Sequence, residues 1–209
     1  DARLSRQLDA ATAARVTAIV DHARATSLPT EPLIDKALEG ARKGAAPARI
    51  VDAVTALAAR LDTTRVALGP ASTESELVAG ASVLQAGVSI PVLRALRAAR
   101  GAKSLAVPLV VLGDLVTRGV PGDTASALVL LVAREGLGDE TLLAIQRDVQ
   151  RDVHEGAHPA TAAAIRARGA VNGGGTRLRP VHGGMTAGAS SLAPGANRPA
   201  SAKPSTTGY

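Results

Sequence analysis

Five times along the chain a glycine is followed within a few residues by a proline or small polar residue and then by a fresh apolar period. The segments are Gly44-Ala-Ala-Pro-Ala-Arg-Ile50, Gly87-Val-Ser-Ile-Pro-Val-Leu93, Gly119-Val-Pro-Gly-Asp-Thr-Ala125, Gly136-Leu-Gly-Asp-Glu-Thr-Leu142 and Gly156-Ala-His-Pro-Ala-Thr-Ala162. Each reads as a helix stop joined directly to a helix start. The glycine takes the left-handed conformation that ends a helix, the residue after it packs back on the last turn, and Pro or a small polar residue opens the next helix. Nine positions beyond the glycines stand Ala53, Leu96, Leu128, Ile145 and Ile165, where each new helix is expected to face the core. Successive stops lie 17 and 20 residues apart at the C-terminal end, so two units approximate one helical solenoid repeat. The aromatic signature of tetratricopeptide repeats is absent. The expected fold is all-α, a compact, solenoid-like array of about eight or nine short helices.

Composition agrees with helices. Alanine makes up roughly a fifth of the chain, there is no Cys, Trp or Phe, and the one Tyr is Tyr209. The core must therefore be built from Ala, Leu, Val and Ile. A helical domain of about 170 residues buries roughly two-thirds of its extended-chain surface, enough to fold without staples. Disulfides, thiolate metal sites and cysteine nucleophiles are excluded.

Helical periodicity is clearest over residues 47–68, where Ile50, Val54, Leu57, Leu61 and Leu68 fall on one face. Residues 139–155 repeat it with Leu142, Ile145, Val149 and Val153, and Asp139 is placed to cap that helix. Residues 105–116 and 124–133 are apolar nearly all round and should form the buried centre.

Periodicity stops after Gly169, which divides the chain into a helical domain, residues 1–169, and a Gly/Pro/Ser/Ala-rich tail, residues 170–209. All 18 acidic residues precede the division, whereas the tail carries only Arg177, Arg179, Arg198 and Lys203. Too few large apolar groups remain there to offset the entropy of ordering the backbone, so the tail is expected to be disordered on its own. Its four cations are the candidate partner-binding residues, and Gly173-Gly174-Gly175 reads as a hinge. An acidic or extended partner, a protein or a cell-envelope polymer, suits such a segment.

The one literal catalytic string is His154-Glu155-Gly156-Ala157-His158. Zinc peptidases use this spacing on an unbroken helix, with the two His one turn apart and the Glu polarising a metal-bound water. Here Gly156 and Pro159 fit the stop-and-start punctuation instead, which puts the two His on different helices. No acid follows Glu155, leaving His182 as the one downstream third ligand. A zinc-dependent hydrolase is thus the lesser alternative.

Arg94, Arg97, Arg100 and Lys103 form the densest basic cluster before the tail and could contact phosphates. Without aromatics for base stacking, a solvated helix face is the better reading, and an anionic-polymer or nucleic-acid binder stands as an alternative. Arg42 with Lys43, and Arg147 with Arg151, read as ordinary surface charges. Glu74 with Glu76, and Asp139 with Glu140, sit at helix starts, where acids stabilise the dipole. No nucleophile elbow, phosphate-binding loop or dinucleotide fingerprint occurs. No catalytic residue, cofactor or metal is assigned, and the expectation is a non-enzymatic interaction or structural protein whose helical domain mounts the tail.

The run from Leu28-Pro-Thr-Glu-Pro-Leu-Ile-Asp to Gly44, then Pro47-Ala-Arg-Ile-Val, Pro108-Leu-Val-Val-Leu and Arg118-Gly-Val-Pro121, resembles a group of uncharacterised small exported helical proteins of high-GC bacteria. The resemblance covers residues 26–169, rests on turn and packing motifs, and implies an all-α fold and export but no activity. Asp1 opens the numbering and no stretch has the layout of a secretory leader, so an extracytoplasmic location after leader removal is the expectation. The longest apolar run, Leu105 to Leu112, is far short of the ~20 residues needed to span a bilayer.

Overall fold

Ten helices and no strands make up the described residues of the computed structural model, which are residues 2–172. They are α1 Ala2–Gln7, α2 Ala10–Ala25, α3 Glu31–Arg42, α4 Pro47–Leu68 and α5 Glu74–Gln85, followed by α6 Ile90–Arg100, α7 Ala106–Thr117, α8 Gly122–Arg134, α9 Asp139–His154 and α10 Pro159–Asn172. Arg177, Arg179, His182, Arg198, Lys203 and the Gly173-Gly174-Gly175 run lie outside the described residues.

The turns are built as the punctuation predicts. Gly44, Gly87, Gly119, Gly136 and Gly156 all have positive φ. At Gly119 the glycine amide donates to Val116 O at 3.0 Å and the Val120 amide to Leu115 O at 3.0 Å, while the Val120 side chain is buried at 1% exposure. These two bonds satisfy carbonyls that the helix end would otherwise leave open. The α2–α3 turn has the same pair of bonds, from Ser27 to Arg24 O and from Leu28 to Ala23 O, but its left-handed position is held by Ser27 at φ 57. A glycine alignment passes over this turn for that reason.

Each helix packs on those one or two places away along the chain, and every substantial contact is of this kind. The even-numbered helices α2, α4, α6, α8 and α10 follow one another in one row. Among the odd-numbered ones, α1 meets α3, α5 meets α7 and α7 meets α9, while α3 and α5 both lean on α4. This nearest-neighbour order is that of a solenoid.

Two apolar clusters fill the interior. One gathers Val16, Leu33, Val54, Leu61 and Leu77; the other gathers Leu93, Leu105, Leu109, Leu112, Leu115 and Leu142. Helix α4 gives Leu61 to the first and Leu68 to the second, and α5 likewise gives Leu77 and Val83, so these two helices join the halves. Each leucine so buried contributes about 1.5–3 kcal/mol relative to exposure.

Several expectations need correction. Val110, in the segment expected to be buried all round, is 56% exposed, because α7 is covered by α5, α8 and α9 and keeps one open side. Leu96, Leu128 and Ile145 are buried as expected, but Ala53 is half-buried and Ile165 is 41% exposed on the last helix. The cap before α9 is Gly138, with Asp139 the first helical residue. Helix α10 continues through Gly169 to Asn172, since a glycine within a helix costs only about 1 kcal/mol and need not end it.

Candidate functional site

The His154-Glu155-Gly156-Ala157-His158 string is divided as its punctuation requires. His154 is the last residue of α9, Glu155 is its C-cap, Gly156 turns the chain at φ 96 and His158 precedes Pro159, the first residue of α10. The Ala157 amide closes the turn on Asp152 O at 2.8 Å. Both His side chains are exposed. Among the described residues no group of three or more His, Cys, Asp or Glu is placed to hold a metal ion.

The basic cluster of α6 is not the solvated face expected of it. Arg94 and Lys103 are exposed, but Arg97 and Arg100 turn inward. Arg97 Nη2 donates to Glu76 Oε1 at 3.0 Å, its Nε to Leu68 O at 3.1 Å and its Nη1 to the carbonyls of Gly101 and Lys103. Arg100, 9% exposed at its side chain, pairs with Asp139 at 2.7 Å. The cluster is half consumed by contacts with α4, α5 and the start of α9.

Glu76 is the hub of the larger network. As the third residue of α5 it forms a capping box with Thr73, accepting the Thr73 amide at 2.9 Å while Thr73 Oγ1 accepts the Glu76 amide at 3.3 Å. The same carboxylate accepts the Leu105 amide at 2.7 Å and Arg97. It is 2% exposed. Burial alone would raise its pKa, but the amide hydrogen bonds from Leu105 and Thr73 and then Arg97 outweigh it and hold the carboxyl below its ordinary value. The dipole explanation offered for Glu76 from sequence is therefore incomplete: the capping box was legible in Thr73-x-x-Glu76, but Leu105 and Arg97 are brought in by tertiary packing.

Two further polar junctions tie the C-terminal helices. Asp114 on α7 accepts Gln146 at 2.9 Å and Gln150 at 3.0 Å from α9, as well as Arg118. Burial pushes its carboxyl upward, yet Arg118, Gln146 and Gln150 together leave it lowered. Arg166 on α10, 4% exposed, grips Asp152 of α9 through two hydrogen bonds of 2.7 and 2.6 Å. Asp148 lies 3.6 Å away and also pairs with Arg151. The Asp152 hydrogen bonds raise the Arg166 pKa, against the opposing effect of burial. Asp148 thus balances Arg151 on the same helix, whereas Asp152 serves chiefly to hold α10 through Arg166. Arg147 is exposed, as is Arg42, and Lys43 pairs with Glu39 on the surface.

Clefts open on the surface of the described residues beside the junctions above or between neighbouring helices of the array. One of about 510 Å³ lies beside the Arg100–Asp139 pair and includes Lys103, Leu137 and Glu140. Another of about 640 Å³ separates α3 from α5, with Glu31, Asp35 and Glu74 on its rim and Pro32 and Val78 inside. A third of about 420 Å³ runs between α8 and α10, lined by Leu128, Leu131, Ala163, Ala164 and Ala167. In the first, two cations face two carboxylates. In the second, Glu31 is already engaged by Arg3 at 2.5 and 3.0 Å.

No family model matches the chain, and no curated protein or solved structure matches it. No helix among the described residues is long and apolar enough to cross a membrane.

Proposed function

We propose that the protein is a non-enzymatic interaction or structural protein, in which the helical array is a stiff mount for the basic C-terminal segment. The observation that carries this reading is how the array uses its charges. Arg97, Arg100 and Arg166 are drawn into junctions between helices, where they brace successive elements, while the four cations beyond residue 172 have no acid near them in sequence. A buried ion pair fixes geometry more than it adds stability, which is what a mount requires. The unbalanced basic segment then suits an acidic or extended partner, and export to a cell-envelope partner belongs to the same proposal.

The test is cross-linking with mass spectrometry in extract of the native organism, comparing the full chain with a variant in which Arg177, Arg179, Arg198 and Lys203 are all alanine. Partner cross-links should map beyond residue 172 and be lost in the variant, with the helical circular-dichroism signal unchanged. Cross-links that persist and map to the helices would move the binding site to the array.

A further inference from the structure

We draw no further inference here: the strongest candidate, the cleft of about 510 Å³ between the end of α6 and the start of α9, carries nothing because Arg100 is already paired there with Asp139 and the exposed Lys103 and Glu140 are of opposite sign, which leaves the start of α9 without a second feature that points to a ligand.

Discussion

Glu76 shows how much one side chain can be asked to hold. Its carboxylate is the shared acceptor for the start of α5, the start of α7 and the end of α6. Glu76→Ala leaves the Leu105 amide and the Arg97 guanidinium without their buried acceptor, and denaturant unfolding should show a loss of about 3–5 kcal/mol. Because the folded-state pKa of Glu76 is lowered, its contribution is fully present above the unfolded value near 4.5 and is lost as pH falls through the folded one. Wild-type stability should therefore drop on acidification below about pH 4.5 more steeply than that of Glu76→Gln, and a denaturant midpoint series across pH checks it. Asp114 adds to the same acid-side loss, its pKa also being lowered. The sequence reading placed Glu76 at a helix start but passed over the local capping signal Thr73-x-x-Glu76; the role of Arg97 has no such local signal, since its partner is 21 residues away in sequence.

Between elements, close approach matters as much as polar bonding. A Cβ placed on Gly80 of α5 would come within 2.4 Å of Thr64 Cγ2, a buried methyl on α4. Gly80→Ala gains about 1 kcal/mol of helix propensity but incurs an overpacking cost of about 1–3 kcal/mol, so net destabilisation is expected. Adding Thr64→Ser removes that methyl and should recover most of the loss. A double-mutant cycle by thermal or urea unfolding reads the coupling, and additive losses would show that the two helices do not meet there. At the α9–α10 turn, Gly156 separates His154 from His158, so purified protein should carry no stoichiometric zinc by elemental analysis. His158→Ala should leave the metal content unchanged. The two His were readable as turn-flanking from sequence because Gly156 and Pro159 dictate the turn locally.

At the scale of the molecule, the array is continuous in packing but uneven in charge. Two of the four basic residues clustered at the end of α6 are neutralised internally, so duplex DNA should bind the chain weakly, with the affinity gone at moderate salt. Fluorescence anisotropy across a salt series checks this, and tight binding retained at physiological salt would restore the nucleic-acid reading. The stack itself joins two apolar clusters through α4 and α5.

The sequence by itself determined the helical class, the positions of most turns and the core positions Ile50, Val54, Leu61, Leu68, Leu96, Leu128, Leu142, Ile145 and Val149, because left-handed glycines, N-terminal prolines and apolar periods act over one or two turns of chain; Ala53, Leu57 and Val153 are only half-buried. Ser27 escaped because its left-handed backbone has no glycine to mark it. Only the tertiary structure decided that Arg97 and Arg100 turn inward, that Asp148 and Asp152 serve Arg166, and that Val110 and Ile165 stay open. The physical reason is that apolar pattern states which side of a helix seeks cover, whereas the neighbour that arrives, or fails to arrive, is set by how the helices stack.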